Sequence, residues 1–186
     1  MSAQLERWHF NVDQYYRLAE AGVLKSDDRV ELIEGEIIRM PPIGSPHAGT
    51  VARTYRLLSE HFSNDAIVWI QNPVRLSDFS EPVPDIAVLK PRDDFYSAQH
   101  PTPDDVVLII EISDTTILAD RNVKIPLYAR SGIAEAWLVN LPEKLIEVYS
   151  DLTDGRYLTC EKFKIGDTVS SPTARDLSLK VEDIIS

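Results

Sequence analysis

The segment from Val106 to Ile112 limits the possible folds of this chain more than any other. Six of its seven residues are apolar, which is typical of a strand covered on both faces in the middle of a sheet. Glu111 is the exception. A buried, unpaired carboxylate is costly or takes up a proton instead, so we expect a metal ion or another cation beside it. The alternative is a glutamate that reaches water at the end of the strand.

The segments around this strand predict a mixed sheet with helices packed on it. A strand, a helix and a further strand follow a run of consecutive strands, which requires a crossover connection. We therefore predict an α/β (α+β) fold in a single domain, residues 1–186, with a core at about 45–140 and β-hairpins added at both ends. The predicted helices are 12–21, a segment from 45 to about 62, and 120–130; the predicted strands are 30–33, 36–39, 66–76, 83–89, 106–112, 134–140, 145–150 and 156–160.

The composition excludes several classes of protein. The net charge is −11, from 19 basic and 30 acidic residues, so the chain lacks the overall basic surface of a typical nucleic-acid-binding protein. A nucleic-acid role would need a local basic surface, metal ions or a channel formed by a dimer. The single cysteine forms no internal disulfide. No apolar run approaches the length of a membrane helix, and the N-terminus does not look like a signal peptide, so we expect a cytoplasmic protein that does not bind membranes.

Two further residues extend the hypothesis of a cation beside Glu111. Asp85 follows Pro84 at the start of another apolar strand, and carboxylates on neighbouring strands can hold one divalent cation through oxygen ligands. Lys124 is four residues after Asp120 and would share its helical face. Its ammonium group could reach the end of the Glu111 strand, or it could form an exposed ion pair with Asp120.

These residues, in this order, resemble the PD-(D/E)XK restriction-endonuclease-like superfamily. Within it, the chain is most similar to a bacterial branch of presumed restriction endonucleases whose biological roles are mostly unknown. The resemblance covers residues 10–182 and implies a restriction-endonuclease-like core, a mixed central sheet flanked by helices. It rests on Glu31–Glu36, Pro46-His47, Pro84-Asp85, Glu111-Ile112-Ser113, Asp120, Lys124, Tyr128 and Gly132–Val139 with its Trp137.

The resemblance implies a metal-dependent phosphodiester hydrolase, an endonuclease that cleaves DNA. Asp85, Glu111 and the backbone carbonyl of Ile112 would hold Mg²⁺, with Mn²⁺ as a substitute. The superfamily pattern has a lysine where this chain has Ser113, and the resemblance assigns its role to Lys124. The accessory residues it implies are Glu31, His47, Ser113, Asp120 and Tyr128.

Two alternatives to a DNA endonuclease stay open at this point. One is a catalytically inactive binding or assembly module that keeps the nuclease fold, which the net charge, Ser113 and the helix-weakening Pro126 favour. The other is a metal-dependent phosphoesterase for a substrate smaller than duplex DNA. For the endonuclease we expect a homodimer, because cutting both strands of a duplex needs two sites. The candidate phosphate contacts are Arg53, Arg56, Arg75, Arg121 and Arg130.

Overall fold

The centre of the protein is a six-stranded mixed sheet, as the sequence predicts. The computed structural model describes residues 6–25, 27–174 and 176–185. The six strands lie side by side in the order in which they occur along the chain, and only the third and fourth strands of this sheet run parallel to each other. These strands are β3 (Ile67–Ile70), β4 (Ile86–Leu89), β5 (Val106–Ser113), β6 (Ala136–Asn140), β7 (Leu145–Thr153) and β8 (Arg156–Lys164).

Helices and two small antiparallel sheets lie around this central sheet. The first small sheet is a hairpin of β1 (Val30–Ile33) and β2 (Glu36–Arg39), and the second pairs β9 (Thr168–Ser170) with β10 (Ser178–Lys180). The helices are α1 (Val12–Glu20), α2 (Ser45–Phe62), α3 (Ile117–Ala119), α4 (Ile125–Arg130) and α5 (Val181–Ile184), with a 3₁₀ turn at Pro103–Asp105 and a π turn at Asp120–Lys124. In the part of the chain that the structure describes, no helix is both long and apolar enough to cross a membrane.

Strand β5 is the buried centre that its composition predicts. Its residues alternate between two apolar clusters, one on each face of the sheet. Ile110 and Ile112 pack on the side of α2 and α5, and Ile109 packs on the side of α4. Glu111 shares the α4 side with Ile109, because successive side chains of a strand point to opposite faces.

The strand predicted at residues 66–76 ends early, at Ile70. Gln71 has a φ of 48°, which is outside the range of a β-strand, and Pro73 has no amide hydrogen for a further ladder bond. The strand predicted at 83–89 likewise begins only at Ile86. Both differences shorten β3 and β4 at the same end, where the chain leaves the sheet and a cavity opens.

The helix predicted at residues 120–130 is interrupted by a π turn. The amide of Ile125 bonds to the carbonyl of Asp120, five residues back. Pro126 follows directly. It lacks an amide hydrogen, and its ring would clash with the carbonyl four residues earlier in a regular α-helix. We attribute the wider turn to Pro126, and such π turns occur often at functional sites.

The two predicted hairpins are attached to the rest of the protein in different ways. The C-terminal hairpin, β7 and β8, extends the central sheet because β7 pairs with β6. The N-terminal hairpin, β1 and β2, stands outside that sheet. Leu32 and Glu81 exchange backbone hydrogen bonds, which attach this hairpin to the segment that leads into β4.

Candidate active site

The ends of β4 and β5 bring Asp85 and Glu111 together. Ile86 pairs with Ile110 in the antiparallel ladder, so the next position outward sets Asp85 opposite Glu111 on the same face. Asp85 also accepts a hydrogen bond from the amide of Ile112, with 2.9 Å between N and Oδ2. The carbonyl of a strand residue points to the same side as its amide, so the Ile112 carbonyl faces the Asp85 side as well.

Lys124 lies within the same group of charges. Its Nζ is 3.0 Å from Oε2 of Glu31 and 3.3 Å from Oε1 of Glu111. All three residues are buried, with Lys124 7% exposed and Glu111 2% exposed. Lys124 therefore joins three elements, β1, β5 and the π turn, and it does not form the exposed ion pair with Asp120 that the sequence left open.

The other buried polar residues around this group hold it in place. Tyr128 donates its hydroxyl hydrogen to Oε1 of Glu111, and the amide of Val83 donates to Glu31 at 3.1 Å. Asp120 accepts hydrogen bonds from the hydroxyls of Ser113 and Thr116. The carboxylate of Asp120 thus fixes the start of the π turn to the end of β5.

His47 contacts Asp85 from the first turn of α2. Its Nε2 lies 3.0 Å from Oδ2 of Asp85, and this hydrogen bond raises the pKa of His47 above its ordinary value. Its other ring nitrogen, Nδ1, is buried and has no hydrogen-bond partner among the residues that the structure describes. Gln71 donates to the second oxygen of Asp85 at 3.3 Å. Nothing in the sequence indicated a role for Gln71, because it stands in a segment predicted to continue β3.

The buried charges change the ionisation of the site. Burial raises the pKa of Glu111 to about 8, although Lys124 and the Tyr128 hydroxyl act in the opposite direction. Burial alone would lower the pKa of Lys124, but the carboxylates of Glu111 and Glu31 outweigh it and hold the pKa above its ordinary value. Burial beside Glu111 raises the pKa of Tyr128 as well. One ammonium group is shared by two buried carboxyl groups and does not fully offset the effect of burial. Glu111 therefore retains a proton more readily than an exposed glutamate.

This ionisation predicts how stability depends on pH when no metal is present. The folded protein binds a proton on Glu111 up to about pH 8, whereas an unfolded glutamate releases it at about pH 4.3. The bound proton stabilises the folded state fully below the pKa of the unfolded glutamate, and this stabilisation disappears as pH rises to the pKa of the folded Glu111. We therefore expect Glu111→Gln to become progressively more stable relative to the wild type between pH 5 and 8. Urea unfolding in EDTA measures this difference, and a difference independent of pH would contradict it.

The charged group lies in a cavity of about 520 Å³. Its walls carry more acidic than basic side chains. The basic groups are Arg29, Arg39 and Lys124, and the carboxylates are those of Glu31, Glu34, Glu36, Asp85, Glu111, Asp114 and Asp120. An anionic substrate can approach this cavity only if a cation offsets part of that charge.

The arginines singled out as phosphate contacts in the sequence lie elsewhere. None of the five lines this cavity, whereas Arg29 and Arg39 do. Arg121 makes a bidentate ion pair with Glu147 of β7, which is only 1% exposed. Arg121 therefore anchors the π turn to the sheet. The other four bind neighbouring groups of the protein. Arg53 donates to the carbonyl of Ile184, and ion pairs join Arg56 to Glu60, Arg75 to Asp78 and Arg130 to Glu34.

The donor atoms at Asp85 and Glu111 suit a magnesium ion. Mg²⁺ prefers oxygen ligands and usually binds through one or two carboxylates, completed by water and substrate phosphate. Within residues 6–25, 27–174 and 176–185, no group of three or more His, Cys, Asp or Glu side chains forms a ready metal cage. Two adjacent carboxylates and a carbonyl at the end of a strand offer Mg²⁺ part of its set of oxygen ligands, and water and substrate phosphate would supply the rest.

Comparisons with known proteins identify the family and the fold. Residues 12–182 match the model of the family Uma2, described as "Putative restriction endonuclease". A solved structure of a "putative nuclease belonging to DUF820" from Anabaena variabilis ATCC 29413 superposes with a TM-score of 0.70 at 20% identity, over 94% of this chain and 97% of that one. No curated protein matches significantly. The fold is therefore that of this nuclease-like protein, and the chain belongs to the Uma2 family of restriction-endonuclease-like proteins.

Proposed function

We propose that this protein is a Mg²⁺-dependent endonuclease that hydrolyses phosphodiester bonds in DNA. The observation that carries the proposal is the grouping of Asp85, Glu111 and Lys124 in one cavity, with Lys124 3.3 Å from Glu111. Two carboxylates for a metal and one lysine are the residues that the nuclease family would need. The membership of the chain in Uma2 supports DNA as the substrate.

The residues of the chain have separate roles in this proposal. Asp85, Glu111 and the carbonyl of Ile112 would hold the ion, which would polarise the scissile phosphate and lower the pKa of a bound water. Lys124 places a positive charge beside Glu111, where it can orient the attacking water or offset charge that develops on the phosphate. His47 and Gln71 hold the carboxylate of Asp85 in position through hydrogen bonds to both of its oxygens.

The acidic cavity gives an independent reason for metal dependence. Phosphodiester substrates are anionic, and the carboxylates of the cavity outnumber its permanently charged basic groups. Divalent cations would reduce this repulsion as well as supply the chemistry. The proposal includes a homodimer. Cutting both strands of a duplex needs two sites, and two copies of the chain would supply them.

Incubation with supercoiled plasmid tests the proposal. We expect nicked or linear product with Mg²⁺ or Mn²⁺ and none with EDTA, and restored cleavage when excess Mg²⁺ is added back. Cleavage that persists in EDTA would contradict the metal-dependent mechanism. If no DNA is cut with either metal, the inactive binding module or the phosphoesterase for a smaller substrate becomes the better hypothesis. The mass of the protein in solution, measured by light scattering, separates a monomer from the expected dimer.

A further inference from the structure

The N-terminal hairpin lines the cavity, which limits what can reach the carboxylates. β1, β2 and the segment after them, residues 40–44, line it together with the π turn and the residues before that turn. Glu31 of β1 bonds to Lys124 of the π turn, so these two parts of the lining are joined beside Glu111. The volume of about 520 Å³ is that of a site for a small molecule. It accommodates one nucleotide but not a stacked base pair with its neighbours.

Besides its charged group, this cavity has an extensive apolar lining. Ile38, Ile43 and Val123 line it, and each keeps 38–43% of its surface exposed. Met40, Pro41, Pro42 and Ala119 add further apolar surface to the same lining. With a divalent cation at the carboxylates, a ligand that suits both parts has a phosphate for the cation and a flat, weakly polar ring for the apolar side chains, as a nucleotide has.

The shape of the cavity distinguishes a nucleotide from a second copy of the chain. A stable interface between two proteins covers about 800 Å² on each partner and needs a broad surface. Here apolar side chains of β2 and the π turn line one concave cavity. Arg29 donates to the carbonyl of Pro41 at 2.7 Å, which holds the segment after β2 over the cavity. Arg39 lines it as an exposed cation and can contact a neighbouring phosphate.

We propose that this cavity receives the base of an unpaired nucleotide, so that the substrate is single-stranded or locally unpaired DNA. The inference rests on the proposed endonuclease function and narrows its substrate. A base inside a duplex must leave the stack before it can enter a pocket, and that cost is smallest where the base is already unpaired. Apolar walls then bind either face of the base without selecting a sequence, because each base presents the same kind of surface.

Three oligonucleotide duplexes of one sequence test the inference in Mg²⁺. The first is perfectly paired, the second carries one bulged nucleotide, and the third carries a bulged abasic residue at the same position. We expect the bulged nucleotide to be cut about tenfold faster than either of the others. Equal rates for the three would overturn the inference. Equal rates for the two bulges would also overturn it, because the backbone alone would then explain recognition.

Variants at the apolar wall provide the matched control. Ile43→Ser is expected to remove most of the preference for the bulged nucleotide, and Leu158→Ser is expected to leave it unchanged, because Leu158 is 64% exposed on β8 and outside the cavity. A preference unaltered by Ile43→Ser, or a change of oligomeric state without a change of preference, would overturn the inference. Supercoiled plasmid also contains transiently unpaired segments. Plasmid cleavage without a bulge preference therefore removes only this inference, whereas no cleavage of any DNA removes the proposed function with it.

Discussion

Asp85→Asn is expected to reduce the rate of plasmid cleavage in Mg²⁺ by about a thousandfold or more. Asparagine is nearly the same size as aspartate and can still accept the hydrogen bond from the amide of Ile112. It cannot supply the negative charge that would hold a divalent ion next to Glu111 in the proposed mechanism. Cleavage rates of the wild type and the variant, measured on the same plasmid over a range of Mg²⁺ concentrations, provide the comparison.

A second aspartate provides the control for this experiment. Asp93 is exposed and does not line the cavity, so Asp93→Asn removes the same charge from the chain at a different place. We expect it to cleave as the wild type does. If Asp85→Asn keeps its circular dichroism spectrum and still cleaves within about tenfold of the wild type, the metal site is not at Asp85. If the wild type and Asp85→Asn cleave the plasmid at equal rates, a contaminating nuclease is a second explanation.

Lys124→Met is expected to lower the free energy of unfolding by about 3 kcal/mol and to abolish cleavage. Its ammonium group is the buried cation shared by Glu31 and Glu111. Methionine has a similar length but no charge, so the Glu31 carboxylate would remain buried without its partner, and Glu111 would lose the cation that favours its ionised form. Urea unfolding at pH 7 in EDTA measures the loss of stability, and the plasmid assay measures the loss of activity.

A double variant separates lost charge from lost packing. If the cost comes from unpaired carboxylates, adding Glu31→Gln to Lys124→Met should restore part of the stability, because one of those carboxylates is removed. Lys164→Met, at an exposed position of the edge strand β8, should change the free energy of unfolding by less than about 0.5 kcal/mol. If Lys124→Met unfolds at the same urea concentration as the wild type, the buried contacts of Lys124 with Glu31 and Glu111 do not stabilise the folded protein.

The sequence predicted those features that depend on neighbouring residues. The central strand, a helical segment after it and the C-terminal hairpin all follow from the period of apolar residues or from turn residues within about ten positions. Glu111 could be identified because a carboxylate is unusual within such a strand. Asp85 and Lys124 could then be linked to it by the order in which strands and helices follow one another.

The cavity itself could not be predicted in this way. Its walls combine β1, β2, β5 and the π turn, and nothing in the sequence shows that Arg29 and Arg39 line it while Arg121 does not. Arg121 pairs with Glu147, a residue 26 positions away, whose burial becomes apparent only once β7 is placed beside β6. The early end of β3, which leaves Gln71 beside Asp85, depends on a single residue with a positive φ.

Ser113 and Lys124 have linked places in the structure, because the π turn that carries Lys124 is attached to the end of β5 through Ser113 and Asp120. In the superfamily pattern the strand position two residues after the glutamate carries the lysine, but here that position, Ser113, is fully buried and bonds to Asp120. The strand thus holds the π turn, and the π turn supplies the charge. Ser113→Lys would remove the hydroxyl that bonds to Asp120 and would bring a second ammonium group close to Lys124. A lysine at residue 113 would therefore require a compensating change at residue 124.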